Sequence, residues 1–122
     1  MTTASPINVP EPTLGPLKGE KFATLIGFSD SHAYEILATT ATTATTVTVR
    51  ELKAEKDPTW KGEFHVGGFA AHCSNQNSQR WFLQSDLLGR VLKGHLRKDG
   101  IFHTELGPLA LGRAERFYDY NY

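Results

Sequence analysis

The sequence lacks several features that would define a class of protein at once. It contains one cysteine, Cys73, so no internal disulfide can form and a disulfide-stapled scaffold is excluded. Its 122 residues include no apolar run long enough to span a bilayer, so no membrane partner is expected. The first residues contain neither the basic segment nor the apolar run of a signal peptide. We therefore expect no signal peptide and a cytoplasmic location.

Net charge is also absent. Thirteen Lys and Arg residues balance thirteen Asp and Glu residues. A general binder of duplex DNA carries a strong basic excess, so duplex DNA is not an expected partner. The two halves differ, however, because residues 1–60 carry five basic and seven acidic side chains, whereas residues 61–122 carry eight and six. The C-terminal half is the part predicted to attract anions.

Motifs for catalysis and for cofactors are missing as well. The sequence has no Walker loop, dinucleotide fingerprint or paired-carboxylate motif. Its five histidines and Cys73 match no standard zinc spacing. Residues 29–32 offer the residue types of a catalytic triad, but triad members normally converge from distant segments. We therefore expect no enzyme, no metal site and no cofactor.

Strand patterns dominate what is present. Residues 1–17 hold four of the six prolines and are predicted to form a flexible arm, ahead of a single β-rich domain over residues 18–122. Alternating and β-branched runs predict strands at 22–28, 33–38, 47–52, 63–66, 79–84, 90–97 and 101–106. Residues 53–62 and 69–78 are predicted loops, and residues 39–46 a strand end and turn. The expected fold is mainly β, an antiparallel meander forming a small barrel with at most one or two short helices.

Basic and aromatic side chains gather between residues 79 and 102. Along 91–97 the alternation puts Val91, Lys93, His95 and Arg97 on one face and Leu92, Gly94 and Leu96 on the other. Asp99-Gly100 predicts a hairpin with a type I′ turn. If 79–84 is the neighbouring strand, more cations and rings lie beside this face. Guanidinium groups bind phosphate and rings stack on bases, so the cluster favours a ligand with both, although an ordinary exposed β face remains the alternative.

The C-terminal segment, residues 113–122, is unusually aromatic, with four rings among its last six residues. A chain end of this composition is expected to pack, either on its own barrel or on another subunit. Together with the proline-rich arm, the segment predicts a homo-oligomer. A tail folded back on its own barrel is the alternative.

Several segments, taken in order, resemble a set of short, phage-encoded β-rich proteins. The segments are FSDSHAY at 28–34, GGFAAHCSNQ at 67–76, LRKDG at 96–100, LGR at 111–113 and FYDYNY at 117–122. The length, the meander and the basic-aromatic pattern are also similar to the Thoeris anti-defence sponge proteins of phages. That resemblance implies an oligomer in the host cytoplasm that binds cyclic ADP-ribose isomers, or cyclic oligonucleotides, and keeps them from a bacterial immune effector.

The resulting hypothesis is a non-enzymatic phage counter-defence protein that sequesters a small cyclic nucleotide signal. The expected phosphate contacts are Arg97 and Arg113, with Arg80, Arg90 and Lys93 as further candidates. The expected stacking rings are Trp81, Phe82 and Phe102. The expected hydrogen bonds to base or ribose come from Asn75, Gln76 and Asp30. The alternative function is a single-stranded nucleic-acid or protein-interaction module on a small β-barrel, which would use the same cations and rings.

Overall fold

The computed structural model of this chain describes residues 13–39, 45–67 and 70–121. Its strands are β1 (Thr13–Leu14), β2 (Leu17–Ile26), β3 (Ser31–Thr39), β4 (Thr46–Glu51), β5 (Lys53–Lys56), β6 (Phe64–Gly67), β7 (Ala70–Cys73), β8 (Trp81–Gln84), β9 (Val91–Leu96), β10 (Phe102–Thr104) and β11 (Gly107–Ala114). One 3-10 turn, Gln76–Ser78, is the helical element in these ranges. No helix among the described residues is both long and apolar enough to cross a membrane.

Six of these strands close into an antiparallel barrel, in the order β10-β11-β2-β3-β4-β9. The mainly β fold with a small barrel, which the alternating patterns predicted, is therefore confirmed. Closure pairs both edges of every barrel strand, so the barrel presents no free sheet edge. The other strands form a three-stranded sheet, β1-β8-β5, and a two-stranded hairpin, β6-β7.

The prediction that the strands at 79–84 and 90–97 are neighbours in one sheet is wrong. Leu83 in β8 pairs with Thr13 of β1 and with Ala54 of β5, whereas β9 pairs with β4 and β10. The physical reason lies in β5, which was predicted as a loop. Its sequence KAEK has no apolar alternation, so the pattern could not reveal that this segment supplies the hydrogen bonds of one edge of β8.

Two other segments differ from expectation. The predicted flexible arm extended to residue 17, but Thr13–Leu14 pairs with β8 and Leu17 begins β2. Residues 1–12 of that arm, and residues 40–44 of the Thr-Ala run, lie outside the described residues. The predicted loop 69–78 contains β7, which pairs with β6. Both corrections concern pairings of two to four residues, which are too short to show a period.

The barrel interior is filled by side chains. Its core consists of Ala23, Leu25, Tyr34, Val47, Val49, Leu92 and Leu109, with Ile36 and Phe102 packed against them. A Cβ at Gly94 would lie only 3.1 Å from Leu109 Cδ1 and from Val47 Cγ1. Burial raises the pKa of Tyr34 to about 12, so its hydroxyl stays neutral in this core. A barrel packed this tightly has no room for a ligand, and a binding site must lie outside it.

A second core lies on one outer side of the barrel. Its members are Ala33, Leu52, Leu83 and Ala114, with Leu17, Phe22, Ala54 and Trp81 packed against them. Successive residues of a strand point to opposite faces, so Tyr34 enters the barrel core while Ala33 faces outward. The sheet β1-β8-β5 covers this outward face. Two cavities open at the junction, and both reach Leu83 of β8.

The hairpin of β9 and β10 forms where the sequence predicted it, but with a different turn. Gly100 N donates to Arg97 O at 2.9 Å, and Arg97 N donates to Ile101 O at 3.1 Å. Gly100 has a φ of 81°. These bonds define a three-residue loop that ends on a glycine bulge, in place of the two-residue type I′ turn. The alternation along β9 is as predicted from Val91 to His95, because Leu92 and Gly94 are buried between exposed residues, but Leu96, which was predicted to face the core, is exposed.

Gly89 provides a test of this packing. A Cβ at this position would overlap the carbonyl oxygen of Glu51 and lie 3.1 Å from Asp86 O. Backbone atoms cannot rotate away, so Gly89→Ala is expected to lower the free energy of unfolding by about 1–3 kcal/mol, measured in urea. The control is Gly100→Asn, because a Cβ there meets nothing within 4 Å and Asn tolerates positive φ. Equal stability of the two variants would contradict the expectation.

Candidate ligand-binding pocket

The C-terminal tail, residues 115–121, docks on its own chain. Ser31 and Phe117 exchange two backbone hydrogen bonds, at 3.0 and 2.9 Å. Two residues further on, Asp119 N donates to Asp30 Oδ1 at 2.8 Å. Of the two arrangements that the sequence allowed, the structure therefore has the tail folded back on its own barrel. The homo-oligomer stays a prediction, and the tail no longer argues for it.

Amide side chains hold the next tail residues. Gln79 Oε1 accepts from Tyr118 N at 2.9 Å, and Gln79 Nε2 donates to Tyr118 O at 2.8 Å. Gln76 Oε1 accepts from Tyr120 N at 2.8 Å. The side chains of Asp30, Gln76 and Gln79, which we call the tail clamp, thus take the place of a partner strand. They satisfy backbone groups that would otherwise need water.

Ring contacts anchor the end of the tail. The ring of Tyr120 has its centroid 5.6 Å from that of Trp60, 5.9 Å from that of Phe64 and 4.7 Å from that of Tyr118. Lys56 Nζ donates to the Tyr120 hydroxyl at 2.7 Å. The aromatic composition of the tail is accounted for by this packing within one chain.

A cavity of about 420 Å³ opens between β8, the start of β3 and the tail. Its wall includes Asn77, Gln79, Arg80, Trp81, Arg116 and Phe117. The volume lies near the lower end of the range of roughly 300–1,000 Å³ that is usual for small-molecule sites. Two guanidinium groups, two aromatic rings and two carboxamides in one wall make this cavity the candidate binding pocket.

Arg116 is held rigidly in this wall. Its guanidinium carbon lies 5.0 Å from the ring centroid of Trp81 and 5.8 Å from that of Tyr118. Its Nη1 donates to Ser31 O at 3.0 Å and to Phe117 O at 2.5 Å. Within the described part of the chain, Nε and Nη2 of Arg116 have no hydrogen-bond partner. A guanidinium fixed on one side and unused on the other suits an anion such as a phosphate oxygen.

Arg80 is positioned by a turn. Its Nε lies 3.3 Å from Asp57 Oδ2, and its Nη2 donates to Thr59 Oγ1 at 3.1 Å. The backbone N–H and the hydroxyl of Thr59 both donate to Asp57 Oδ1, at 2.9 and 2.8 Å. These bonds, followed by the charge of Arg80, hold the pKa of Asp57 below its usual range. Asp57 is therefore an ionised support for Arg80.

The charges of the pocket do not cancel. Arg80 has Asp57 as its counter-ion, and Glu115 is paired with Arg113 at 3.3 Å. Among the described residues, Arg116 has no carboxylate within the 4 Å of an ion pair. One uncompensated positive charge therefore remains in the wall, beside the Trp81 ring. This charge favours a ligand that carries an anionic group next to a planar ring.

His32 stands beside Arg116 as a mainly neutral group. Burial lowers its pKa below the usual value, and the positive charge of Arg116 lowers it further. Glu51, whose Oε2 lies 3.4 Å from His32 Nδ1, acts in the opposite direction, as does Asp30, whereas Arg90 adds to the lowering. The net result keeps a second positive charge away from the Arg116 side of the pocket near neutral pH.

The structure brings only part of the predicted site together. Arg80 and Trp81 line the pocket, and Trp81 is fixed by a 2.7 Å bond from its Nε1 to Gln79 Oε1. Arg113 lies at the end of β11, paired with Glu115. Phe102 is half-buried against the barrel core and does not line the pocket.

The other predicted phosphate and stacking residues lie on different elements. Lys93 is exposed on β9, Arg90 precedes that strand and Arg97 follows it, all outside the pocket wall. Phe82 follows Trp81 in β8, so it points to the opposite face of that sheet, where its pairing partners are Leu14 and Glu55. The separation of β8 from β9 explains why these side chains do not converge.

The predicted base-reading side chains are engaged within the protein. Asp30 and Gln76 belong to the tail clamp. Asn75 Oδ1 accepts from Glu63 N at 2.7 Å, and its Nδ2 donates to Lys61 O at 2.8 Å. Their carboxamides and carboxylate therefore order loops and the tail. Whether a ligand also reaches them stays a prediction.

Sequence reasoning missed Arg116, Gln79, Asn77 and Phe117. The segments 28–34, 67–76 and 117–122 do meet at the tail clamp, but of the four missed residues only Phe117 lies in one of them. The sequence predicted that the aromatic tail packs, but it did not predict that Arg116 belongs to a binding site. Its position beside Trp81 depends on a contact between residues 35 apart in sequence, which no local pattern contains.

No metal centre competes with this pocket in the described ranges, where no three His, Cys, Asp or Glu side chains come together. His65 and His72 are paired across β6 and β7, but His65 Nε2 is bonded to Ser74 Oγ at 3.1 Å. Cys73 is buried, and its backbone is held on both sides by the Asn121 carboxamide, at 2.7 and 2.9 Å.

Comparison of the chain with protein-family models, with curated proteins and with solved structures finds no significant match. The functional argument therefore depends on the geometry of the pocket and on the residues that form it.

The tail clamp can be tested at Gln79, whose side chain takes part in four hydrogen bonds, to Tyr118, Trp81 and Gln76. Gln79→Ala is expected to lower the free energy of unfolding by about 1–3 kcal/mol, because it leaves the half-buried Trp81 Nε1 and the backbone N–H of Tyr118 without their acceptor. Amide exchange at Tyr118 and Tyr120 should accelerate. The control is Gln84→Ala, a half-buried glutamine on β8. If the amides of Tyr118 and Tyr120 exchange equally slowly in both variants, the Gln79 side chain does not hold the tail in place.

The lowered pKa of His32 predicts a pH dependence of stability. An unfolded histidine titrates near about 6.5, so below neutral pH the unfolded chain binds a proton that the folded chain resists. The free energy of unfolding should therefore fall as the pH drops from about 7 to about 5. His32→Gln cannot take up this proton and should show a flatter profile over the same range. Urea unfolding at several pH values measures both, and parallel profiles would exclude His32 as the cause.

Proposed function

We propose that this protein binds a small nucleotide-like anion in the pocket between β8 and the tail, and acts by sequestering it. The observation that carries the proposal is Arg116, which is stacked on Trp81, bonded through one nitrogen and left with a free edge in the wall of a 420 Å³ cavity. Arg116 would hold a phosphate, and Arg80 would supply a second positive group. The phosphate role thus passes from Arg97 and Arg113 to these two arginines.

The other wall residues suit the remainder of such a ligand. Phe117 and the accessible part of Trp81 offer ring surface on which a heterocycle stacks. Asn77 offers a carboxamide, which carries both donors and an acceptor for the edge of a base. A phosphate and a base therefore each find groups of matching chemistry in one small cavity.

The ligand class that we propose is a cyclic nucleotide signal, a cyclic ADP-ribose isomer or a cyclic oligonucleotide, held by a phage counter-defence protein. Two arguments support this class. The three segments that build the tail clamp are among those that resemble phage-encoded β-rich proteins. The volume of the cavity also favours a ligand of the size of a cyclic ADP-ribose isomer over a larger cyclic trinucleotide.

Binding without turnover is part of the proposal. The described wall of the pocket contains no histidine or cysteine that would activate a nucleophile. Sequestration requires tight binding and an intact ligand. Isothermal calorimetry with cyclic ADP-ribose isomers and with cyclic di- and trinucleotides tests the binding, and chromatography of the ligand recovered after denaturation tests turnover. If none of these ligands produces binding heat or a thermal shift, the proposal is wrong. If the recovered ligand has been converted, the protein is an enzyme.

Substitution of the two arginines gives a quantitative prediction. A charge-assisted hydrogen bond contributes about 1.5–3 kcal/mol, so Arg116→Gln and Arg80→Gln should each weaken ligand binding by roughly 10- to 150-fold. Arg116→Lys keeps the charge but loses the planar fork, and an intermediate affinity is expected.

The matched control is Arg97→Gln, which removes the same charge from a residue outside the pocket wall. Its ligand affinity should equal that of the parent protein. Circular dichroism and urea unfolding identify any variant that has lost its fold. A folded Arg80→Gln with unchanged affinity, alongside a weakened Arg97→Gln, would return the phosphate site to the β9–β10 hairpin.

A further inference from the structure

The outer side of the barrel differs between its two halves. The second core covers the outer face near β2, β3 and β11, where Ala33 and Ala114 are buried under the sheet β1-β8-β5. On β9, in contrast, the outward residues Lys93 and His95 are exposed, whereas the alternate residues Leu92 and Gly94 are buried. One side of the barrel therefore presents a bare β surface.

Strand register gathers a lysine, two histidines and a hydroxyl on this exposed surface. Lys93 on β9 is paired with Thr48 on β4, and His95 is paired with His103 on β10. Directly paired residues point to the same face of a sheet, so these four side chains form one continuous patch. No carboxylate is present among them.

The turn after β9 extends the patch. Arg97 and Lys98 are exposed there, and among the described residues neither they nor Lys93 form an ion pair. The nearby carboxylate is Asp99, which accepts from Ile101 N at 2.9 Å and contacts His103 Nε2 at 2.8 Å. These bonds hold the pKa of Asp99 low and commit the carboxylate locally. Three positive charges are left for a partner.

We infer that this surface, the hairpin face formed by Thr48, Lys93, His95, Arg97, Lys98 and His103, binds the phosphate backbone of single-stranded nucleic acid. The site is separate from the pocket and goes beyond the function proposed above. Alternate residues of a strand lie about 6.6–6.8 Å apart, a spacing close to the repeat of phosphates along an extended single strand.

Base recognition is not expected at the hairpin face. Phe102 of β10 packs against the barrel core, so the rings that the face presents are the imidazoles of His95 and His103. Contacts to phosphates alone do not distinguish sequences. Binding should therefore be sequence-independent, modest in affinity and strongly dependent on salt.

The test is fluorescence anisotropy with a short labelled oligothymidylate over a range of salt concentrations. For about three phosphate contacts on a single strand, the logarithm of the binding constant should fall against the logarithm of salt concentration with a slope of about −2. The double variant Lys93→Gln/Arg97→Gln should reduce that slope to about −0.7 and weaken binding at low salt by roughly tenfold or more. Both side chains are exposed, so the fold should persist.

A matched control removes the same charge elsewhere. Lys18→Gln/Lys61→Gln substitutes two exposed lysines that lie on β2 and in the loop before β6. This variant should keep the affinity and the salt slope of the parent protein. An equal loss in both double variants would mean a general effect of net charge, and would overturn the assignment to the hairpin face.

Two further measurements separate this site from its alternatives. Arg116→Gln should bind the oligonucleotide like the parent protein, and Lys93→Gln/Arg97→Gln should bind the pocket ligand like the parent protein. A negative result at the pocket would therefore not affect the proposal for the hairpin face, and the reverse also holds. Polyglutamate at equal charge concentration should compete weakly. Competition as strong as that of unlabelled oligothymidylate would replace nucleic acid with an acidic protein segment, and no binding at low salt would remove the site.

Discussion

The pocket depends on how the backbone of the C-terminal tail is hydrogen-bonded. Beyond Phe117 the tail has no partner strand, so the side chains of Asp30 and the two glutamines Gln76 and Gln79 supply the acceptors for its amides. This clamp brings Arg116 onto the ring of Trp81. Two backbone bonds between Phe117 and Ser31, and the bond from Arg116 Nη1 to Ser31 O, hold the start of the tail in the same wall.

Closure of the barrel explains why both proposed sites are external. Six strands leave an interior that seven buried residues fill, and Gly94 is accepted there because a Cβ would already crowd its neighbours. A ligand therefore has to use the outer side. Where the sheet β1-β8-β5 covers that side, an enclosed pocket forms for a small molecule. Where no other part of residues 13–39, 45–67 and 70–121 covers it, on β4, β9 and β10, an open surface forms that suits an extended polyanion.

The separation of these two sites divides a cluster that is continuous in sequence. Arg80 and Trp81 belong to one sheet, and Lys93 and Arg97 belong to the barrel hairpin. The sequence suggested one site with cations and rings together, because the segments follow each other closely. The structure distributes them, so the rings accompany the pocket and most of the unpaired cations accompany the bare face.

The alternation in β9 and the Asp99-Gly100 hairpin were readable from the sequence, because both are local patterns with a period or a turn signal. The small barrel followed from the same patterns. The position of β8 beside β1 and β5 was not readable, since KAEK and a two-residue strand contain no period. The contact between Arg116 and the Trp81 ring could not be predicted from the sequence either. Local propensity decides which residues extend as strands, but contacts between distant segments decide which strands pair and which side chains meet.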